Sequence, residues 1–253
     1  MERPLYIRES VVDKAPLIGT WASLPAPAIV ELVGDAGFDF VVIEGEHAAF
    51  GRSQIEDLVR AADAAGIPSI VRVPMEGNWI STALDAGTGG IMIPHVDNAD
   101  QARAIVHAAR FPPMGDRGVG AGRASRYGMN IGPYLKSAND GILVALMIES
   151  VEGVRNAKEI ASVPGVDVLF IGTGDLGLSI AHTPDASFDV DGAIEQVVDA
   201  CQSVGCTVGM MATDLAIFEK WKSRGMTFMM VGLDVMMLGA ALKQLERDAR
   251  AIG

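Results

Sequence analysis

Positive charge and cysteine are both scarce in this sequence of 253 residues. Lysine and arginine number 20 against 32 aspartate and glutamate residues, so the formal net charge is −12. A chain this acidic lacks the clustered positive charge that general nucleic-acid binding and docking on anionic membranes require. The two cysteines, Cys201 and Cys206, form no CxxC pair, and we therefore expect neither a disulfide framework nor a structural zinc site.

Long apolar runs are scarce as well. The methionine-rich stretch around residues 228–242 is interrupted by Asp234 and falls short of the roughly 18 residues that suggest a membrane span. The first ten residues lack the apolar segment of a secretory signal peptide. We therefore expect a cytoplasmic protein.

What remains favours one large globular domain over residues 1–253. The apolar fraction is 49% and the charged fraction 21%, both close to globular averages. Single-domain (β/α)8 barrels have about 250 residues, and no break in composition indicates a linker. Short apolar runs alternate eight times with longer amphipathic runs. The predicted strands cover residues 17–22, 38–46, 68–74, 89–96, 141–150, 166–172, 206–212 and 228–235.

The strands are nearly continuous apolar runs, which is typical of parallel strands covered by helices. We therefore predict a (β/α)8 TIM barrel, with a doubly wound open sheet as the alternative. The predicted helices cover residues 27–37, 53–66, 78–87, 98–112, 151–165, 189–205, 214–225 and 236–252. Ser53 with Glu56 has the pattern of a capping box, and Asn98 that of an N-cap. A glycine- and arginine-rich stretch from about Pro112 to Asp140 is predicted as a long loop.

In such a barrel, the residues that follow each strand line one mouth, where catalysis takes place. Acids, histidines and one arginine occur at these positions, a set that suits metal-assisted carbonyl chemistry. The mouth residues are Glu44, Glu46, His47, Arg72, His95, Glu149, Gly172, Thr173, Gly174, Asp175 and Asp234.

Two of these acids suggest a metal site. Glu149 follows the apolar run LVALMI, where a carboxylate is costly unless it is paired, hydrogen-bonded or bound to a metal. Together with Asp175 it favours a hard divalent ion such as Mg²⁺ or Mn²⁺. The alternative is a pair of acids satisfied by the amides of helix N-termini.

Arg72 and His47 are the candidate catalytic groups. Arg72 could stabilise an oxyanion by its fixed charge, or form a structural salt bridge with one of the acids. His47 could act as a general base, because its ordinary pKa lies near neutrality, or be structural. His95 is a candidate for the pocket wall, and we assign no role to His107 or His182.

The segment GTGDLG at residues 172–177 matches the GxGxxG pattern of dinucleotide sites. Such a site needs a long helix that starts inside the motif, whereas HTPD at 182–185 interrupts the chain soon afterwards. Asp175 would also repel the pyrophosphate. We therefore do not favour a nicotinamide cofactor.

Several segments occur together in the spacing of a known family. They are FDFVVIEGEHAAF, VRVP, ALDAG, IMIPHVDNADQARAIVHAARFPPMGDRGVG, MIES and GVDVLFIGTGDLGLSI. From about Thr20 to the C-terminus, the chain resembles the class II pyruvate aldolases of the 4-hydroxy-2-oxo-heptanedioate aldolase family. The resemblance implies a metal-dependent (β/α)8 barrel of the phosphoenolpyruvate/pyruvate superfamily. Such enzymes cleave 4-hydroxy-2-oxo acids to an aldehyde and pyruvate or a close analogue such as hydroxypyruvate.

The resemblance also implies roles for particular residues. Glu149 and Asp175 match the ligands of a divalent metal ion, Mg²⁺, Mn²⁺ or Co²⁺. Arg72 matches the arginine that stabilises the enolate, and His47 matches the histidine that acts as acid and base through a metal-bound water. Asp85 matches an aspartate that orients this histidine across a subunit contact.

By the same resemblance, the amides of Thr173 and Gly174 would hold the pyruvate carboxylate. The chain departs from the family pattern in three places. The family segment is closer to GPADLS than to the GTGDLG at 172–177, and aspartate is usual at the position of Glu44. Next to a proline, the family more often has a smaller or apolar residue than His95.

A Schiff-base mechanism is disfavoured, because the lysines fall in predicted loops or helices. These lysines are Lys14, Lys136, Lys158, Lys220, Lys222 and Lys243. A 2-oxo-acid decarboxylase, a citryl-CoA-type lyase and a catalytically silent oxo-acid-binding barrel are alternative functions.

The C-terminal region is apolar over more residues than one barrel face needs, which favours burial against a partner. The alternative is a helix packed entirely on its own barrel. The family resemblance implies a homo-oligomer, a hexamer built as a trimer of dimers, with this helix packed on or swapped with a neighbouring subunit.

Overall fold

The computed structural model describes residues 4–13, 16–74 and 78–252, so Lys14 lies outside the described residues. Within them, parallel strands close into a barrel in the order in which they occur along the chain. They are β1 (Leu17–Ala22), β2 (Phe40–Glu44), β3 (Ser69–Arg72), β4 (Gly90–Ile93), β5 (Leu143–Ile148), β6 (Val168–Ile171), β7 (Thr207–Ala212) and β8 (Phe228–Leu233). Because β8 pairs with β1, the predicted TIM barrel is confirmed and the open sheet is excluded.

Helices surround this barrel. They are α1 (Arg8–Val12), α2 (Pro27–Asp35), α3 (Arg52–Ala65), α4 (Trp79–Ala86), α5 (Ala99–Ala109), α6 (Ile131–Gly141), α7 (Val151–Arg155), α8 (Ala157–Ala161), α9 (Thr173–Ala181), α10 (Val190–Val204), α11 (Leu215–Ser223) and α12 (Asp234–Ile252). A short 3-10 helix covers Arg123–Ser125. None of the described helices is long and apolar enough to cross a membrane.

The start of α3 differs from the prediction. The N-cap is Gly51, two residues before the predicted Ser53, and the Gly51 amide donates to Gln54 Oε1 at 2.7 Å. Ser53 therefore lies inside the helix, and the predicted capping box of Ser53 and Glu56 is wrong. The N-cap predicted at Asn98 is confirmed, since its Oδ1 accepts from the Gln101 amide at 3.0 Å.

Helices also occur where none was predicted. The stretch predicted as a long loop contains α6. Pro133 does not prevent this helix, because it lies in the first helical turn, where proline is tolerated. The single helix predicted over 151–165 is two short helices that meet at Asn156, whose side chain donates to the Asp97 carbonyl at 2.7 Å. The glycine-rich segment after β6 forms α9, anchored by the fully buried Leu176.

The barrel interior is filled by large side chains. Phe40 and Phe228 stack with ring centroids 4.3 Å apart, and Phe170 meets Phe228 edge-on. Gly19 makes room for this plug, because a Cβ there would lie 2.3 Å from the Phe40 ring. Because the interior is filled, as in other TIM barrels, we expect a ligand to bind at the mouth rather than inside the barrel.

Helix α12 packs little on its own barrel. Asp234 is its buried residue, while Leu238, Leu242 and Leu245 are all exposed, Leu245 by 67%. On the adjoining strand β1, Ile18 is 37% exposed although it lies in the barrel wall. An apolar helix face and part of the barrel wall therefore both remain open to solvent in the single chain.

Candidate active site

A cavity of about 510 Å³ opens at the C-terminal ends of the strands. Eight of the predicted mouth residues lie together on its wall. They are Glu44, His47, Arg72, Glu149, Gly172, Thr173, Gly174 and Asp175. An apolar wall that the sequence analysis missed completes the cavity, formed by Trp21, Met147, Phe170, Met211 and Leu233. Trp21 could have been predicted by the rule that residues at strand ends line the mouth, since it lies near the end of β1.

Arg72 is held firmly at this mouth. Its Nε donates to Glu44 Oε2 at 2.7 Å, and its Nη2 pairs with the same oxygen. Its guanidinium carbon lies 4.6 Å from the ring centroid of Trp21, and Nη1 contacts Met147 Sδ at 3.8 Å. The salt bridge considered as the alternative role of Arg72 thus exists, and the same side chain also lines the cavity.

Glu149 is a nearly buried acid, with its side chain 3% exposed. Burial raises the pKa of this carboxyl, and the charge of Asp175 raises it further, against the lowering effect of His95 and Arg72. A Cβ at Gly172 would lie 2.3 Å from Glu149 Oε1. The glycine therefore creates the space that the carboxylate occupies.

These two acids are the donor set that a divalent ion could use here. Among the described residues, no cluster of three or more His, Cys, Asp and Glu side chains is arranged to hold a metal. Carboxylate oxygens suit Mg²⁺ and Mn²⁺, and Mg²⁺ commonly binds through one or two carboxylates together with water and substrate oxygens. The repulsion between Glu149 and Asp175 is also what a bound cation relieves. The residues present therefore fit a hard divalent ion.

Glu46 lies in the loop after β2 and faces three nitrogen groups. Its Oε2 is 3.4 Å from Arg72 Nε and 3.7 Å from His47 Nε2. Its Oε1 is 3.5 Å from His95 Nε2. The His47 side chain is 64% exposed, and its amide donates to Glu44 Oε1 at 3.0 Å. The exposed imidazole of His47 thus lines the cavity beside Glu46.

His95 contacts an acid of the site rather than the cavity. Its amide donates to Glu149 Oε2 at 3.0 Å, and its Nδ1 lies 3.4 Å from the same oxygen. Among the described residues that line the cavity, His95 does not occur. The prediction of His95 as part of the pocket wall is therefore wrong, and its contact with Glu149 was missed.

The N-terminus of α9 opens onto the cavity. Gly172 precedes the helix, and Thr173 and Gly174 are its first two residues. The amides of a first helical turn lack partners within the helix and favour an anion. The helix ends at Ala181, before HTPD.

Asp85 lies away from these groups. Its Oδ1 accepts from Arg117 Nη2 at 2.6 Å, and the Arg117 side chain is 1% exposed and packs over the Phe111 ring at 4.5 Å. The loop after α5 packs closely against Asp85, since a Cβ at Gly122 would lie 2.9 Å from the Asp85 Cβ, but the Asp85 side chain remains 38% exposed. Among the described residues that line the cavity, Asp85 does not occur.

Asp234, the last mouth residue, joins the ends of β8 and β1. Its carboxylate accepts from the amides of Ser23 and Leu24 at 2.9 and 2.8 Å, and from Ser23 Oγ at 2.6 Å. The role this supports is structural, because the loop after β1 is fixed at the cavity edge.

Known proteins resemble the chain over nearly its whole length. Residues 17–241 match the family described as HpcH/HpaI aldolase/citrate lyase. A hydroxypyruvate/pyruvate aldolase of Paraburkholderia phytofirmans is 35% identical, with 98% of each chain covered. A 2-keto-3-deoxy-L-rhamnonate aldolase of Klebsiella pneumoniae is 36% identical over 89% of this chain and 85% of that protein. The crystal structure of a HpcH/HpaI aldolase/citrate lyase family protein from Burkholderia cenocepacia superposes with a TM-score of 0.88 at 36% identity, covering 96% of this chain and 98% of that one.

Proposed function

The chain belongs to the HpcH/HpaI aldolase/citrate lyase family and is a carbon–carbon lyase, and we propose that it works in the cytoplasm with the site residues described below. The reaction is the reversible cleavage of 4-hydroxy-2-oxo acids to an aldehyde and pyruvate, or a hydroxypyruvate-like donor. The resemblance found in the sequence motifs is thereby confirmed. One observation carries the assignment of roles: a fixed arginine, two acids and a helix N-terminus share one cavity.

The substrate is bound through its 2-oxo acid end. We place its carboxylate at the N-terminus of α9, where Thr173 and Gly174 begin the helix and line the cavity. The apolar wall around Met211 and Leu233 excludes water from the remaining carbon chain. This orientation brings the 2-oxo oxygen toward the charged side of the cavity.

Arg72 stabilises the charge that forms when the bond between C3 and C4 breaks. The bonding electrons move onto the 2-oxo oxygen and leave an enolate, which becomes pyruvate when C3 takes up a proton. Arg72 is already fixed by Glu44 and Trp21, so its positive charge needs no rearrangement during the reaction.

His47 takes the proton of the 4-hydroxyl group. It lines the cavity, and an imidazole is the side chain that most often serves as a general acid or base. Asp85 of a neighbouring subunit orients this histidine, which agrees with its position outside the cavity of its own chain.

Glu149 and Asp175 would hold the divalent ion, which we propose to be Mg²⁺, Mn²⁺ or Co²⁺. When bound, the ion supplies Lewis-acid stabilisation to the 2-oxo acid. The Glu149 side chain is nearly buried, where a carboxylate gains most from a bound cation. Gly172 leaves room for this carboxylate, because it has no Cβ.

The assembly we propose is a hexamer, arranged as a trimer of dimers. The exposed apolar face of α12 packs on, or is swapped with, a neighbouring subunit, because an apolar surface of this kind is usually covered by a partner. The open part of the barrel wall at Ile18 is a surface that such a helix can cover.

The test is an assay of the purified protein with pyruvate or hydroxypyruvate and a panel of aldehydes, next to an assay of oxaloacetate decarboxylation. We expect aldol products that the enzyme also cleaves. Borohydride added with pyruvate should trap no lysine adduct. Decarboxylation without any aldol reaction would favour the decarboxylase alternative, and loss of both activities would favour a silent binding barrel.

A further inference from the structure

His95 has a backbone conformation that is uncommon for a residue other than glycine. Its φ is +54°, in the left-handed region that disfavours side chains with a Cβ. Such strain persists where the surroundings impose it, and it clusters at functional sites. Here the conformation directs the His95 amide at Glu149 Oε2, at 3.0 Å.

The imidazole of His95 contacts the same carboxylate and one more. Nδ1 lies 3.4 Å from Glu149 Oε2, and Nε2 lies 3.5 Å from Glu46 Oε1. Glu46 in turn faces Arg72 and His47. His95 thus lies between the acid of the candidate metal site and the side chains assigned to charge stabilisation and proton transfer.

The two oxygens of Glu149 have different surroundings. Within the described part of the chain, the hydrogen bond to this carboxylate reaches Oε2. Oε1 lies beside Gly172, in the space that a Cβ would fill. A hydrogen bond to one oxygen restrains the rotation of the carboxylate, and Oε1, which accepts no hydrogen bond from the described residues, keeps its lone pairs for a cation.

We propose that His95 is a positioning residue for Glu149, whose amide and imidazole fix the carboxylate so that Oε1 and Asp175 bind the divalent ion together. The inference rests on the proposed function, since it assumes that Glu149 is a metal ligand. Groups that orient metal ligands in this way commonly change metal affinity by about 10–100-fold when they are removed.

The test measures Mn²⁺ binding by electron paramagnetic resonance of free Mn²⁺, without substrate. We expect His95→Ala to bind Mn²⁺ at least about tenfold more weakly than the wild-type protein. His95→Asn should recover much of the affinity, because asparagine adopts the left-handed conformation readily and its amide can donate to Glu149. His107→Ala is the matched control, since His107 lies on α5 and pairs with Asp116 at the surface; its affinity should be that of the wild type.

Kinetics separate positioning from a general loss of structure. In His95→Ala, the Mn²⁺ concentration for half-maximal aldol activity should rise, while kcat at saturating Mn²⁺ stays close to the wild-type value. His95→Gly removes the ring but relieves the backbone strain, so it should fold at least as well as His95→Ala and still bind Mn²⁺ weakly. Wild-type affinity in both His95→Ala and His95→Gly would overturn the inference. Failure of the wild-type protein itself to bind Mn²⁺, or equal binding by Glu149→Gln, would instead overturn the metal site on which the inference rests.

Discussion

Glu44 and Arg72 are neighbours in the register of the barrel, at the ends of β2 and β3, and Arg72 Nε donates to Glu44 Oε2 at 2.7 Å. The arginine is therefore oriented before any substrate arrives. The family that the sequence resembles usually has aspartate at the position of Glu44. In this chain the longer glutamate side chain reaches Arg72 on the adjacent strand directly. The chain thus keeps the arginine's position with a longer acid.

Arg72→Ala should abolish the exchange of pyruvate methyl protons with solvent deuterium as well as aldol cleavage, because both processes pass through the enolate. Removing a preorganised group of this kind lowers rates by about 10²–10³-fold. The measurement is exchange by NMR beside the rate of cleavage. Wild-type exchange in the variant would show that Arg72 does not stabilise the enolate.

The control for Arg72→Ala concerns folding. Loss of Arg72 leaves Glu44 as an unpaired charge with a side chain only 5% exposed, which costs on the order of 3–5 kcal/mol of folding free energy. The double variant Glu44→Gln/Arg72→Ala removes that charge. We expect it to unfold at a higher temperature than the single variant and to remain inactive.

His47→Ala should reduce aldol cleavage by about 10²–10⁴-fold and slow methyl exchange much less. The reason is that His47 handles the proton of the 4-hydroxyl group, which pyruvate lacks. Both rates are measured on one preparation, and His182→Ala serves as the control, since that ring contacts the Leu178 carbonyl on α9. Equal losses in the two rates would assign His47 to the enolate step instead.

Alanine substitutions at Gly172 and Gly174 should have different effects, because the space beside the two glycines differs. A Cβ at Gly172 would lie 2.3 Å from Glu149 Oε1, whereas a Cβ at Gly174 meets nothing within 4 Å. Gly172→Ala should displace the carboxylate and lower both metal affinity and activity. Gly174→Ala should leave the free energy of unfolding unchanged or raise it by up to about 1 kcal/mol, because alanine is the better residue inside a helix. Metal titration and thermal unfolding of both variants check the contrast, and equal behaviour would contradict it.

The barrel and the contents of its mouth could be predicted from sequence because both depend on local pattern. Apolar runs define the strands, and the position of Arg72 or Glu149 at a strand end places it at the mouth. The helices α6 and α9 were missed because Pro133 and Gly174 look like breakers, although the first turn of a helix tolerates them. The contact of His95 with Glu149 depends on a left-handed backbone conformation, which the presence of a histidine in the sequence does not predict.

Metal removal tests the role of Glu149 and Asp175. Treatment with EDTA should abolish aldol activity, and Mg²⁺, Mn²⁺ or Co²⁺ should restore it, because two mutually repelling carboxylates then regain their cation. Ca²⁺ is a useful comparison, since it prefers more ligands at longer distances. Full activity in protein shown by elemental analysis to be free of metal would exclude the metal mechanism.

The exposed apolar face of α12 is the surface through which we expect the subunits to associate. The leucines at 238, 242 and 245 recur at the spacing of one helix face, and all are exposed in the single chain. If this face packs on a neighbour, a charge placed there should separate the subunits. Light scattering should report a hexamer for the wild type and smaller species for Leu242→Glu/Leu245→Glu, whereas Lys243→Glu on the same helix should leave the hexamer intact.

Asp85 lies outside the cavity of its own chain and is held by Arg117, and the proposed role of Asp85 across a subunit contact predicts that activity follows assembly. The dissociated variant should therefore lose aldol cleavage more than methyl exchange, as His47→Ala does. Mixing inactive Asp85→Ala with inactive His47→Ala should restore part of the activity, since mixed oligomers contain sites with one intact histidine and one intact aspartate from different chains. A monomer that keeps full activity at nanomolar concentration would defeat both the assembly and the shared role of Asp85.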